Sequence, residues 1–341
     1  MSSSRKELGS SLLETGRGLL PKEARARKCF GLSLAALLLL LAVLGIWSHH
    51  ASSSDALGGG GEDAVLMTLP PANLDTSYSP KRSFDIVVAH YSESLPELRS
   101  TLAAITSLPA LAARKPNVIV YTKHATTPLA SIASALHLPE ASVRRLPNRG
   151  REGGTYLTHL LTNWDDLAAH TLFMQAHVHN EFYLLQRLRD YFAANTGYLS
   201  FGFSGKSCPL TACVDEWGWR DRYHQLPSIY TLLFGRLPPP GRFTLSYKGQ
   251  FIVSAQRARG VSKEKLQILQ NVLEGPESPY SRNVAEDGEQ GRDAPRFGFV
   301  LERAWGLVFA CADGKLAKTC PSLWRQRREG EALADCQCLD S

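Results

Sequence analysis

The residue types best suited to chemistry gather in one stretch of the chain, from Leu146 to His179. It opens with the run 148–154, Asn-Arg-Gly-Arg-Glu-Gly-Gly, which precedes a predicted helix. Backbone N–H groups at a helix N-terminus, together with two arginine side chains, suit a phosphate or diphosphate group. The candidate ligand-binding residues are Asn148, Arg149, Gly150, Arg151, Glu152 and Gln175. The alternative is an ordinary glycine-rich turn whose arginines are solvated.

Two histidines, His177 and His179, close the same stretch. Because they are two residues apart, both rings would project from one side of a continuing strand. Neutral imidazoles bind divalent metals, so the pair indicates a site for a divalent cation such as Mn²⁺ or Mg²⁺. Asp215 and Glu216 are carboxylates that could complete this site. The alternative is a pair of loop or core histidines, since two ligands without a third are a weak pattern.

A single carboxylate, Glu302, lies in the apolar run 299–305. A carboxylate in apolar surroundings has a raised pKa and can serve as a base, and Glu216 is the second candidate for this catalytic role. Glu302 could equally form a structural ion pair with Arg303 or another arginine. The sequence contains no Gly-x-Ser-x-Gly, P-loop or His-Glu-x-x-His motif. None of these motifs therefore indicates a hydrolase.

Alternating strands and helices position these residues. Predicted strands cover Phe84–His90, Asn117–Thr122, Ser142–Arg145, Thr171–Gln175, Tyr198–Phe203 and Gly249–Ser254. Predicted helices run from Ser94 to about Leu108, Leu129 to Leu136, Thr155 to Asn163, Glu181 to Phe192, Ser262 to Leu273 and Phe297 to Phe309. Strands that are apolar on both faces predict an α/β fold with a mostly parallel sheet and helices on both faces. Such nucleotide-binding-like sheets hold ligands outside the carboxyl ends of their strands.

The charges of the N-terminal region predict a membrane anchor. Residues 1–28 hold seven basic and three acidic residues, which leaves only +2 of the net +6 for the rest of the chain. The folded part is therefore close to neutral, and nothing in its charge argues for nucleic acid, which would need a basic face. The uncharged run Phe30–Trp47 spans about 27 Å as a helix, enough to cross a thin bilayer. A cleaved signal peptide and a buried core helix are the alternatives.

The positive-inside rule places the basic tail in the cytosol and the rest of the chain across the membrane. The sequence thus predicts a single-pass type II membrane protein of the secretory pathway. Its parts are a cytoplasmic tail (1–28), a transmembrane signal anchor (29–47), a flexible stem (48–82), a lumenal α/β domain (83–321) and a C-terminal tail with cysteines (322–341). The stem assignment rests on the Ser, Gly, Ala and Pro content of that region.

Six cysteines follow the apolar run: Cys208, Cys213, Cys311, Cys320, Cys336 and Cys338. An even number in an oxidising lumen predicts disulfides. Local spacing favours Cys208 with Cys213 and Cys311 with Cys320, whereas Cys336 and Cys338 are too close for an easy mutual bridge. A zinc site fits less well, because no paired Cys-x-x-Cys pattern is present. The lumenal part contains no Asn-x-Ser/Thr sequon, so N-glycosylation is not expected.

The chain resembles an uncharacterised family, domain of unknown function 3431, over roughly residues 84–310. The matching pieces, in order, are Asp85–Tyr91, Val120–Lys123, Leu146–Glu152 with Thr155–Leu157, Phe173–Gln175, Gly249–Ser254 and Leu301–Trp305. The family has no established activity to carry over. Its layout is similar to that of GT-A glycosyltransferases, which have a nucleotide-type sheet, an Asn-x-Gly-Arg-Glu turn and a late Glu-Arg-x-Trp helix.

This resemblance implies a lumenal glycosyltransferase-like enzyme that uses a nucleotide-sugar donor and a glycan or glycoprotein acceptor. The predicted anchor, stem and lumenal domain also resemble the usual layout of Golgi glycosyltransferases, which implies the Golgi or another secretory compartment. Arg149, Arg151 and the backbone of Gly150 would bind the diphosphate, and Glu302 or Glu216 would serve as the base. His177, His179 or Asp215 would hold the metal, if one is used.

One departure concerns the metal. A GT-A enzyme usually carries Asp-x-Asp at the end of its fourth strand, where this chain has Gln175-Ala-His177 and His179. Either the histidines replace the carboxylates, or no metal is used, or the protein is not a transferase. The rival interpretation is a non-catalytic lumenal module that binds a glycan or a protein. The tryptophans Trp217, Trp219 and Trp305 would then stack on sugar rings or fill the core.

Overall fold

The computed structural model describes residues 65–202, 205–275, 292–320, 327 and 330–340. The predicted cytoplasmic tail, signal anchor and first part of the stem lie outside these residues. Within the described ranges, no helix is both long and apolar enough to cross a bilayer.

In the part of the chain that the structure describes, nine strands form two sheets. They are β1 (Phe84–His90), β2 (Asn117–Thr122), β3 (Val143–Arg145), β4 (His170–Gln175), β5 (Thr196–Ser200), β6 (Ser207–Pro209), β7 (Arg242–Thr244), β8 (Phe251–Ser254) and β9 (Gln337–Leu339). The main sheet has the order β3-β2-β1-β4-β8-β5-β9, and β6 pairs with β7. Strands β3, β2, β1 and β4 are parallel, whereas β8 is antiparallel to β4 and β5, and β9 is antiparallel to β5. The prediction of a mostly parallel α/β sheet is confirmed, with two antiparallel strands added.

Helices cover both faces of the sheet, as predicted. They are α1 (Leu95–Thr106), α2 (Pro109–Ala112), α3 (Leu129–Leu136), α4 (Arg151–Thr162), α5 (Glu181–Tyr191), α6 (Gln225–Phe234), α7 (Ala255–Gly260), α8 (Lys263–Glu274), α9 (Phe297–Val308) and α10 (Gly314–Thr319). Neighbouring strand residues point to opposite faces, so Val87 joins one core while Ile86 and Val88 join the other. Helices α4, α6, α8 and α9 contribute to the first core, and α1, α2, α3 and α5 contribute to the second.

Helix α4 begins four residues earlier than the predicted Thr155, so most of the glycine-rich turn is its first turn. Gly150 has a φ of +66° and turns the chain into the helix. Gly154 packs closely on its neighbours, since a Cβ atom there would lie 1.8 Å from Oε1 of Glu274 and 3.0 Å from the backbone carbonyl oxygen of Arg149. The glycines that suggested a loop therefore make room for a neighbouring side chain.

The folded domain begins earlier than the predicted boundary at residue 83. Met67 is 1% exposed. Its N–H donates to the carbonyl of Arg242 and its carbonyl accepts from the N–H of Gly314, each over 2.9 Å. Tyr78 donates its hydroxyl hydrogen to the carbonyl of Leu167 over 2.8 Å. The flexible-stem prediction is therefore wrong for residues 65–82, because their scattered apolar side chains pack on the domain.

The C-terminal segment is part of the sheet. Strand β9 lies beside β5, and the buried pair Arg257–Asp340, 2.7 Å apart, holds the residue that follows it. The predicted Cys208–Cys213 disulfide is confirmed. The predicted Cys311–Cys320 bridge is wrong, since the remaining pairs are Cys311–Cys338 and Cys320–Cys336. Local spacing misled the prediction because the C-terminal segment that leads into β9 folds back onto the domain. It brings Cys336 to Cys320 and Cys338 to Cys311.

Loss of the Cys320–Cys336 disulfide, through paired alanine substitutions, is expected to lower the free energy of unfolding by about 3 kcal/mol. The bridge closes 16 residues, whereas Cys208–Cys213 closes only 5 and should contribute about 2 kcal/mol by the same loop-closure relation. Urea denaturation of both paired variants measures the difference. An equal or larger cost for the five-residue bridge would contradict the loop-closure explanation.

A buried histidine makes stability depend on pH. His159 on α4 is 0% exposed, and its Nδ1 lies 3.1 Å from the hydroxyl of Tyr121 on β2. Burial, assisted by the positive charge of Arg144, lowers the pKa of His159 to about 3. The unfolded chain, with a histidine pKa of about 6.5, binds this proton first as the pH falls. Stability is therefore full above pH 6.5 and declines towards pH 3, by about 2 kcal/mol at pH 5 from this residue.

Denaturation midpoints measured between pH 7.5 and pH 5 test this dependence. His159→Gln should flatten the decline, leaving the smaller contributions of His90 and His170, whose pKa values burial also lowers. An unchanged slope in His159→Gln would show that other groups carry the effect.

Candidate functional site

The order of the first four strands indicates where a ligand of such a sheet would bind. The chain runs from β1 outwards to β2 and β3, then returns to place β4 on the other side of β1. Ligands of open α/β sheets bind at the carboxyl ends of strands where the order reverses in this way. Here these ends are His90 on β1 and Gln175 on β4, whose register partner is Ala89. The candidate residues Gln175, His177 and His179 therefore lie at this edge.

Two carboxylates flank a tight turn at the same edge. Lys248 and Gly249, which precede β8, both have positive φ values. The backbone N–H of Lys248 donates to Oε1 of Glu302 over 2.7 Å. On the other side, a Cβ atom on Gly249 would lie 3.2 Å from Cγ of Glu152. The turn thus brings together one residue from the start of α4 and one from α9, and we call Glu152, Lys248 and Glu302 the edge cluster.

Glu152 is a largely buried carboxylate whose pKa the protein shifts. Its side chain is 13% exposed, and burial raises its pKa, with a further rise from the charge of Glu302. Nε of Arg151, 3.9 Å away, partly offsets the rise. A buried carboxylate with a raised pKa beside a second carboxylate is typical of acid–base sites. Sequence reasoning named Glu152 only as a ligand-binding residue, and its burial makes it a further candidate for a base.

Tyr156 and Lys123 fix the backbone on either side of the edge cluster through hydrogen bonds to its carbonyl groups. The Tyr156 hydroxyl is buried and donates to the carbonyl of Gly249 over 2.8 Å, so α4 fixes the turn. Lys123, at the end of β2, is 7% exposed and donates to the carbonyls of Arg149 and Arg151. Burial lowers the pKa of Lys123 to about 8, while the charges of Glu274 and Glu152 oppose the shift. Sequence reasoning assigned neither residue a role, and only the position of Lys123 at a strand end pointed to it.

The predicted diphosphate site at the start of α4 makes its contacts within the protein. The N–H groups of Gly150 and Arg151 donate to the carbonyls of Arg292 and Asp293 over 2.8 and 3.1 Å. These amides are therefore satisfied within the protein, which removes the backbone half of the expected anion site. The Arg151 guanidinium lies 4.3 Å from the ring centre of Phe299. Asn148 and Arg149 are exposed, so Arg149 keeps its side chain at the surface.

The two histidines lie against each other, and His179 is near enough to Glu302 for the carboxylate charge to act on its imidazole. The ring centres of His177 and His179 are 5.0 Å apart, and both residues are exposed. Partial burial lowers the pKa of His179, followed by the charges of His177 and Lys248, while Glu302 opposes this. Neutral imidazoles can bind metals or donate hydrogen bonds. The structure therefore brings three predicted site residues together.

Asp215 and Glu216 do not join this group. Asp215 has a side chain that is 1% exposed, and its Oδ2 accepts hydrogen bonds from Nε and Nη2 of Arg303 over 2.9 and 2.6 Å. Glu216 pairs with Lys206, and its side chain is 45% exposed. Among the residues that the structure describes, no three His, Cys, Asp or Glu side chains form a metal-binding group. Without Asp215 the histidines supply two ligands, which do not make a complete metal site.

Among the three tryptophans that could stack on sugar rings, Trp305 belongs to the core, where it is 1% exposed. Trp217 is 53% exposed and Trp219 is half-buried, and both line a cavity beside α9. Glu274, which sequence reasoning did not single out, fills the space beside Gly150 and Gly154, and burial raises its pKa. Its helix pattern carries no signal for this position.

A protein-family model described as "Protein of unknown function (DUF3431)" matches residues 117–327. This range includes Glu152, the Lys248–Gly249 turn and Glu302. No curated protein matches the chain, and no solved structure matches it.

Proposed function

We propose that this chain, which belongs to the family described as Protein of unknown function (DUF3431), is a glycosyltransferase-like enzyme. It would bind a nucleotide-sugar at the carboxyl edge of the sheet and transfer the sugar to a glycan or glycoprotein. The family description carries no activity, so the support comes from the site. The observation that carries the proposal is the edge cluster at the point where the strand order reverses.

Glu152 is the base in this proposal. An acceptor hydroxyl beside it would give up its proton to the carboxylate as the acceptor oxygen forms a bond to the anomeric carbon. The bond from that carbon to the diphosphate oxygen breaks at the same time. A base acts best when its pKa lies near the working pH, and burial raises the pKa of Glu152 in that direction. Glu302 orients the turn through the N–H of Lys248.

Cationic and hydrogen-bonding groups at the same edge would stabilise the leaving diphosphate. The Lys248 ammonium lies near enough to Glu302 and His179 for their charges to influence one another. Arg149 is exposed nearby, and Lys123 donates a hydrogen bond to its backbone carbonyl. Charge that develops on the diphosphate is stabilised most by groups already in position, because no reorganisation is then needed.

Release of nucleoside diphosphate from a panel of nucleotide-sugars tests this activity. We expect one donor class to be turned over, and more quickly when a glycan acceptor is present. Lys248→Met should slow the reaction at least tenfold. Lys115→Met is the matched control, because Lys115 is an exposed lysine with positive φ just before β2, at the opposite edge of the sheet. Equal loss in both variants, or no turnover of any donor, would overturn the proposal.

A second candidate function is a non-catalytic lumenal module that binds a glycan. The cavity lined by Trp217 and Trp219 favours it. Glycan binding by a chain that binds no nucleotide would support this alternative.

The proposed location is the lumen of the Golgi or another secretory compartment, with the chain anchored as a single-pass type II protein. Three disulfides support an oxidising compartment. Protease added to sealed microsomes should remove an epitope on the N-terminus and spare one on the C-terminus. The reverse pattern would contradict this orientation.

A further inference from the structure

Two imidazole rings lie side by side on the segment that joins β4 to α5. They belong to His177 and His179, and their ring centres are 5.0 Å apart, with the ring planes at 89° to each other. Both residues are exposed, so another molecule can reach them from solvent. The proposed transfer gives neither ring a chemical step. The pair is therefore a set of exposed nitrogen ligands whose role is still open.

The distance between the two rings fits a shared metal ion. A histidine nitrogen lies about 2.0–2.1 Å from zinc, and the zinc sites of proteins are almost always tetrahedral. Two imidazoles on one such ion therefore have ring centres about 5 Å apart. The observed 5.0 Å agrees with this value. Imidazole is also a ligand that zinc favours over magnesium or calcium, so the geometry and the ligand type point to the same ion.

The segment that carries the pair is fixed at both ends. Before the pair, the N–H of Ala176 donates to the carbonyl of Ala89 over 2.9 Å, which continues the pairing of β4 with β1. After the pair, Oε2 of Glu181 at the start of α5 accepts the hydroxyl of Thr101 over 2.6 Å. The two backbone positions are thus set before an ion arrives. A chelate on such a segment forms with a small ordering cost.

One chain offers two of the four ligands that a tetrahedral zinc ion takes. Asp215, the predicted third ligand, is held by Arg303, and Oε1 of Glu302 accepts the N–H of Lys248. A second copy of the chain, related by a two-fold axis through the ion, would supply the same pair again. Two-fold dimers are the commonest assemblies of identical chains, and their interface uses the same surface of both copies. An exposed pair of ligands meets that requirement.

We infer that His177 and His179 bind one Zn²⁺ ion together with the same two histidines of a second copy, so that zinc joins two chains into a dimer. The ligand set is four imidazoles. The site is incomplete in one chain, and the second copy completes it.

The dimer would also act on the proposed active site. The pair lies at the carboxyl edge of the sheet, where the charge of Glu302 reaches His179. Two copies joined at this edge would cover it, so zinc would weaken binding of the nucleotide-sugar. This consequence rests on the proposed function, whereas zinc binding and dimer formation do not.

The mass and zinc content of the purified full-length chain in detergent test the inference. Sedimentation equilibrium in density-matched detergent gives the protein mass, and calorimetric titration with Zn²⁺ alone gives the stoichiometry. We expect the protein mass to double when zinc is added, with one ion bound per two chains, and to return to the starting value with a chelator. A dimer held by the membrane anchor would not depend on zinc.

Substitution of Co²⁺ for zinc reports the ligand geometry. Tetrahedral Co²⁺ absorbs visible light far more strongly than octahedral Co²⁺, and geometry of this kind identifies the ligand set. We expect strong visible absorption that rises together with the dimer. Weak absorption typical of an octahedral ion would overturn the four-imidazole site.

Variants separate the pair from other surface histidines. His177→Ala and His179→Ala should each weaken zinc binding at least tenfold and leave the chain monomeric at zinc concentrations that saturate the unaltered chain. The matched control is His137→Asn, which removes an exposed histidine at the end of α3. Asparagine tolerates the positive φ of 56° at that position, so zinc binding and dimer formation should be unchanged. A zinc-driven dimer that survives both alanine variants would overturn the inference.

The remaining outcomes are distinct from those of the transferase proposal. One zinc ion per chain with no change in mass, or no zinc binding by the folded chain, would overturn the inference and leave the transfer reaction untouched. A zinc-linked dimer of a chain that binds no nucleotide would sustain the inference and remove the transfer reaction.

Discussion

Replacing Arg303 with methionine is expected to lower the free energy of unfolding by about 3–5 kcal/mol, because it leaves a buried charge without its partner. The Arg303 guanidinium donates twice to Oδ2 of Asp215, and the two side chains are only 9% and 1% exposed. Without Arg303, Asp215 retains the N–H groups of Trp217 and Trp219 but loses the opposite charge. Urea denaturation followed by tryptophan fluorescence measures the change.

Two further variants make this prediction sharper. Lys206→Met breaks the pair with Glu216, whose side chains are 34% and 45% exposed, and should cost less than about 1 kcal/mol. The double variant Arg303→Met with Asp215→Leu removes both buried charges and should recover part of the loss. If Arg303→Met cost no more than Lys206→Met, the pair would not be the structural anchor that its geometry indicates.

The substitution Glu152→Gln is expected to slow sugar transfer by about 10²- to 10⁴-fold, the contribution typical of a positioned base. The amide keeps the shape of the side chain beside Gly249 but cannot accept the acceptor's proton. Glu274→Gln is the matched control, because Glu274 is also a partly buried carboxylate with a raised pKa, lodged against Gly150 and Gly154. Initial rates with the donor found to turn over measure both.

The rate should also fall as the pH drops, because the raised pKa of Glu152 means that it is protonated before an ordinary carboxylate. The Glu152→Gln variant should lose this acid limb. A full rate in Glu152→Gln together with a large loss in Glu302→Gln would reassign the base to Glu302.

Most of the sheet and its helices could be predicted because the signals are local. Strands β1 and β2 are continuous apolar runs, and helix α3 has its bounds as predicted. Strand β9 and the Cys311–Cys338 and Cys320–Cys336 pairs could not, since a three-residue strand has no periodicity and its partners lie far away in sequence. The start of α4 was missed because Gly154 reads as a turn until Glu274 is placed beside it.

The candidate site was only partly predictable for the same reason. His177 and His179 follow β4 and Glu152 lies in the first turn of α4, so the fold rule places all three at the carboxyl edge. The role of Lys248 depends on Glu302, 54 residues later. Asp215 resembled a metal ligand in sequence because its partner, Arg303, is 88 residues away. Contacts of this range leave no mark on a single sequence.

Calorimetric titration of the full-length chain with nucleoside diphosphates, with and without Mn²⁺, tests the central claim most directly. The account predicts saturable binding of at least one nucleoside diphosphate, weakened at least tenfold in Lys248→Met and unchanged in Lys115→Met. A dependence on Mn²⁺ that disappears in His177→Ala would add a metal to the site. Failure of a folded chain to bind any nucleotide would contradict the transferase proposal and leave the glycan-binding module as the function that the geometry supports.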